Sequence, residues 1–120
     1  NVKRMLLMLS SSYCSLAGVE KTQMMARHLF LSKRIPMMEL DGADPEKRND
    51  RERLFACSGL RGKYPQFFWI FSDGRTEFIG LWELIEKWNE ACEIPADFLK
   101  NHPEIDTFET IFSDMRDNTF

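Results

Sequence analysis

Cys14, in the stretch SSSYCSLAG (Ser10–Gly18), is the residue best placed for chemistry: it follows an apolar run and precedes a helical one. The reactive form of cysteine is the thiolate, which a helix N-terminus or a neighbouring cation stabilises. By pattern the next helix begins at Val19, so Cys14 sits out on the loop, where the dipole has faded. Leu16 and Ala17 stand where a second cysteine or a serine would complete a redox pair. No lysine or arginine adjoins Cys14 in sequence, although Arg61 and Lys63 can approach it in space. The other cysteines, Cys57 and Cys92, fall on apolar helix faces and read as buried small hydrophobes. His28 and His102 lie far apart with no cysteine near them, so no zinc site is expected. The cysteine set an iron–sulfur cluster requires is missing too.

These residues must be held by short elements. Val2–Leu9 reads as a buried strand, and Val19–Ser32 as a helix with Val19, Ala26, Leu29 and Phe30 at helical spacing. Pro36–Leu40 reads as a second strand closed by Asp41 and Gly42. Asp44 caps the next helix, Pro45 fits its first position, and Gly59 stops it. PQFFWIF (Pro65–Phe71) is apolar on both faces and reads as a central strand. Asp73 and Gly74 supply the positive-φ pair of a tight turn into a strand over Thr76–Gly80. The following segment puts Leu81, Leu84, Ile85, Trp88, Ala91 and Cys92 on one helical face. The order is β-α-β-α-β-β-α, with the first strand pair parallel and the last antiparallel.

At 120 residues the chain holds one domain with a substantial core. Its apolar runs are too short to span a bilayer, and Val2–Leu9 reads as a strand rather than a leader. The net charge of −3 argues against nucleic acid as a partner. Residues 1–92 carry 14 basic and 12 acidic side chains, whereas residues 93–120 carry 2 and 7, so the excess acid lies in the tail. Three scattered cysteines fit a reducing compartment, the cytoplasm.

The serine-rich loop SSSYCS, the stretch GKYPQFF (Gly62–Phe68) and EFIGLWEL (Glu77–Leu84) resemble the SH3-domain-binding glutamate-rich protein family. With the element order, they make residues 2–92 similar to a minimal thioredoxin fold of the glutaredoxin type. In that fold the proline before strand three is cis, which the resemblance carries to Pro65. It further implies a groove in which the Tyr64 backbone pairs with an extended peptide or with glutathione, flanked by Lys63 and Gly80. Active glutaredoxins carry CxxC or CxxS and a Gly-Gly or Gly-Asp step after strand four. This chain has Cys14-Ser15-Leu16-Ala17 and Gly80-Leu81-Trp82-Glu83 instead. The resemblance therefore implies a redox-inactive protein-interaction module with no cofactor, one subunit or domain of a larger assembly. A weak thiol oxidoreductase or glutathione-binding protein using Cys14 is the alternative.

Two features fall outside the resemblance. The pairs Met24-Met25 and Met37-Met38 are adaptable apolar groups suited to a surface or to core filling. The tail, 93–120, reads as a separate acidic extension with one helical turn near Asp97 and Phe98. Ile105, Phe108, Phe112 and Met115 then form one amphipathic stripe. The stripe either folds back onto the domain or docks on a protein partner as a helix in a groove.

Overall fold

The computed structural model describes residues 2–13 and 16–118. Its elements are β1 (Arg4–Ser10), α1 (Val19–Ser32), β2 (Met37–Asp41), a 3-10 turn (Pro45–Lys47) and α2 (Arg48–Ser58). They continue with β3 (Gln66–Phe71), β4 (Thr76–Leu81), α3 (Trp82–Ala91), α4 (Ala96–Asn101), α5 (Phe108–Phe112) and a 3-10 turn (Ser113–Asn118). The sheet runs β2-β1-β3-β4, with β1 and β2 parallel and both other pairs antiparallel.

Side-chain alternation along the central strands divides the core in two. Leu6, Met8, Phe67 and Trp69 face one side, where they meet Ala26 and Phe30 of α1 and Ile85 of α3. Leu7, Leu9 and Phe68 face the other, against Leu54 and Phe55 of α2. The two-sided apolar run of β3 thus has helices over both faces, as a buried central strand requires.

Local chemistry explains the boundaries. The Asp44 carboxylate accepts from the Glu46 N–H at 2.9 Å with Pro45 behind it, so the chain enters a 3-10 turn before α2. Gly59 stops α2 in the left-handed region at φ 74°. In the hairpin after β3 only Gly74 takes a positive φ, 95°, which corrects the expected Asp73-Gly74 pair. Asp73 instead accepts from the Arg75 N–H at 3.0 Å and thereby fixes the turn.

The tail belongs to the same core as the sheet. Phe108 and Phe112 are fully buried and Met115 nearly so. Phe112 meets Phe108, Phe30, Trp69 and Trp88 with ring centroids 4.7, 5.2, 5.5 and 6.0 Å away. Arg4 lies over Trp69 at 3.9 Å, donates to the Ile111 carbonyl at 2.8 Å and pairs with Asp114. Reading Phe108, Phe112 and Met115 as partner-binding is therefore corrected: their partner is this chain's own sheet. The stripe is not one helix either. The capping box of Thr107 with Thr110 starts α5 after Ile105, which stays half-buried outside it.

Candidate ligand cleft beside Tyr64 and Pro65

Three segments converge at one end of the sheet. Residues 16–19 and 22, 62–65 and 81–83 line a cleft of about 360 Å³, within the range of small-ligand and peptide sites. The lead-in to α1 and the start of α3 both contribute. Neither helix has a side-chain cap: Gly18 stands before α1 at φ 87°, and Leu81 before α3. The starts of two helices, with the positive ends of their dipoles, therefore border the cleft, with Glu83 in the first turn of α3 offsetting part of that field. Lys63 is an exposed cation on the rim.

Lys63, Tyr64 and Pro65 all line the cleft, and the Tyr64–Pro65 peptide bond is cis. Pro65 is buried. The Tyr64 ring turns away to pack on Phe55, 5.9 Å between centroids, and over Gly42. A Cβ at Gly42 would lie 2.9 Å from the Tyr64 hydroxyl, so only glycine fits beneath that ring. Gly80 does not join the cleft. It is buried against Leu84, and Leu81 takes its place in the lining. Arg61 is drawn off to α2, where it pairs with Glu52 and lies over Phe55 at 5.3 Å.

Cys14 and Ser15 lie outside the described residues. The loop leading to them is anchored at several points. The Gln23 side chain accepts from the Ser11 N–H at 2.8 Å and donates to the Ser11 carbonyl at 3.2 Å. Asp41 accepts from the Ser12 N–H at 3.0 Å and the Ala43 N–H at 2.9 Å. Burial raises the Asp41 pKa, but hydrogen bonds from Ser12 and Ala43 outweigh it and hold the carboxyl below its ordinary range. Glu39 accepts from Arg27 at 2.8 and 2.7 Å and from the Ser10 hydroxyl at 2.7 Å.

On the opposite rim Gln66, fully buried, donates through Nε2 to the carbonyls of Leu60 and Lys63, at 2.5 and 2.8 Å. This amide holds the 60–63 loop against β3. No sequence motif points to either glutamine. Gln23 nonetheless carries a signal, since it interrupts the apolar series Val19, Ala26, Phe30 at a position that series should occupy.

Cys57 is exposed, not buried as its helix face suggested, with its thiol 3.6 Å from the Thr76 carbonyl. Cys92 is half-buried, and His28 is exposed on α1. Among the described residues no group of His, Cys, Asp and Glu is gathered to hold a metal ion, and no helix is long and apolar enough to cross a membrane. No protein-family model matches the chain, and no curated protein matches it.

Proposed function

We propose that the chain is a redox-inactive protein-interaction module of thioredoxin-like, glutaredoxin-type fold that takes an extended protein segment in the Tyr64–Pro65 cleft. The observation that carries this reading is the open cleft itself. It joins two uncapped helix starts to the 62–65 loop, and none of its described lining comes from the tail. Support for the fold reading comes from the sheet order β2-β1-β3-β4 and from α1 and α3 sharing the face opposite α2. The likeness to the SH3-domain-binding glutamate-rich proteins supports a partner-binding role. Ala17, standing where a redox pair needs cysteine or serine, supports inactivity. The scattered cysteines support a cytoplasmic setting.

Two measurements test it together. The first is the alkylation rate of Cys14 against pH in a Cys57→Ser/Cys92→Ser background, with and without glutathione. An ordinary thiol titrating near ~8.5 and forming no mixed disulfide is expected. A strongly depressed thiol that forms the glutathione disulfide would make the chain an oxidoreductase. The second is selection of extended peptides from a display library. Selected peptides are expected to bind the parent chain and to lose binding to the Lys63→Glu and Thr22→Trp variants. Equal binding to all three would remove the cleft from the function.

A further inference from the structure

The sheet has two outer edges, and they differ. Along β4, α2 and α3 both pack against the strand, and a register shift breaks its pairing with β3 between Phe67 and Phe68. Arg75 also pairs with Glu77 at its start. β2 has none of these. Among the described residues β1 is its one extensive neighbour, and their register runs unbroken from Met37 to Asp41. The strand, MMELD, holds no proline and no lysine. Its two carboxylates are engaged within the chain, Glu39 by Arg27 and Ser10, and Asp41 by the Ser12 and Ala43 N–H groups. The devices that keep a strand edge from pairing are therefore missing here.

The Gly42 N–H donates to the Ser10 carbonyl at 2.7 Å, which continues the β1–β2 ladder and sets its phase. In a parallel ladder every second residue of a strand gives both its N–H and its C=O to the same neighbour. Met38 and Leu40 therefore bond to β1, and Met37 and Glu39 turn their N–H and C=O groups outward. Among the described residues no bond takes up those outward groups. A row of bare donors and acceptors in extended backbone fits one kind of occupant, another strand. Large apolar side chains flank the row. Met38, 43% exposed, stands beside it on the α2 face. Leu31, 78% exposed, lies one turn along α1 from Arg27, the residue that reaches Glu39.

We propose that β2 pairs antiparallel with β2 of a second copy, about a two-fold axis through Met38, and joins two four-stranded sheets into one. This register leaves nothing over. The N–H and C=O of Met37 exchange bonds with those of Glu39 in the second copy, and symmetry repeats the exchange, so every outward group is satisfied. Met38 meets Met38 across the axis in the closer, non-hydrogen-bonded kind of pair, two adaptable side chains stacked on the α2 face. Other registers do worse. An axis at Glu39 or Leu40 sets Glu39 against Glu39 or against Asp41, like charges directly opposed. An axis at Met37 sets Glu39 against Ile35, before the strand begins. Two outward residues placed symmetrically about one exposed methionine thus favour a second copy over a strand of another protein.

The test reads the mass of the chain in solution by sedimentation, from micromolar to millimolar concentration. A dimer that dissociates on dilution is expected, since one strand pair makes a small interface. Met38→Lys and Met38→Glu each place like charges across the axis, and each is expected to weaken self-association at least about tenfold. An equal mixture of the two is expected to recover the dimer as a heterodimer, which damaged chains could not do. Location is read by cross-linking in a Cys14→Ser/Cys57→Ser/Cys92→Ser background. Met38→Cys is expected to form an intermolecular disulfide under mild oxidation, because a non-hydrogen-bonded pair brings the two Cα atoms within disulfide range. Glu77→Cys, on the β4 edge, is expected not to. Lys63→Glu and Thr22→Trp are expected to leave the dimer unchanged, so failure here is separable from failure of the cleft. A chain that stays monomeric at every concentration would overturn the proposal. So would a dimer indifferent to both charge variants, a mixture that stays monomeric, or cross-linking through Glu77→Cys in place of Met38→Cys.

Discussion

Gln23 and Ser11 exchange two hydrogen bonds, side-chain amide to backbone amide, in a setting where Gln23 is only 2% exposed. A glutamine on the core side of α1 thus substitutes for the strand partner that Ser11 lacks beyond the end of β1. Replacing it with leucine leaves a buried N–H and a buried carbonyl without partners. Gln23→Leu is expected to lower stability by about 1–3 kcal/mol in urea unfolding. No loss would mean that water takes over both groups and the loop is not held by this residue.

Phe112 is the centre of the tail's attachment, with four aromatic neighbours and no exposed surface. Phe112→Ala is expected to cost about 3–5 kcal/mol of unfolding free energy. An unaltered midpoint, with lost binding to some other protein, would return the tail to the role of a docking element.

Glu39 is held below the ordinary carboxylate range, first by the hydrogen bonds of Arg27 and further by the Ser10 hydroxyl, against the effect of its burial. The unfolded chain therefore takes up this proton at higher pH than the folded one. The contribution to stability is complete above the ordinary carboxylate pKa and is lost as pH falls through the folded value. Urea unfolding at a series of acidic pH values is expected to show a shallower loss for Glu39→Gln than for the parent chain. Identical slopes would mean that the Arg27 pair, partly exposed to solvent, contributes nothing.

Gly80 leaves no room for a side chain: an added Cβ would lie 2.7 Å from Leu84 Cδ2 and 3.2 Å from Leu84 Cβ. Gly80→Ala is expected to destabilise by about 1–3 kcal/mol, read as a lower Tm, because Leu84 must move its base as well as its tip. In the Leu84→Ala background the same substitution should cost much less. Equal costs in both backgrounds would place the strain elsewhere in β4.

Most of the frame is legible because short-range chemistry writes it. Asp44-Pro45 opens a helical stretch, Gly59 ends one, and the apolar alternation of β3 demands cover on both faces. What sequence does not show is which long-range partner a side chain will meet. Cys57 sits on a helical face that looked apolar, but α2 buries only Leu54 and Phe55, and the cysteine is left outside. Gln66 looks like an ordinary strand residue until the loop it holds has folded back over it. The stripe of the tail was visible, yet a stripe alone has the same pattern whether it is covered by its own sheet or by another protein. Met24 and Met25 were ambiguous for that same reason.

The stitch from Arg4 to Ile111 and Asp114 joins residues 107 and 110 positions apart. A ribosome makes β1 well before α5, so the sheet face carrying Leu6, Met8, Phe67 and Trp69 lacks the cover of Phe108 and Phe112 until α5 is made. The emergence of α5 from the exit tunnel then completes the cover that α1 and α3 give that face. Translation that stalls before Phe108 releases a chain whose aromatic face lacks part of its cover, a substrate for chaperones rather than a smaller version of the same protein.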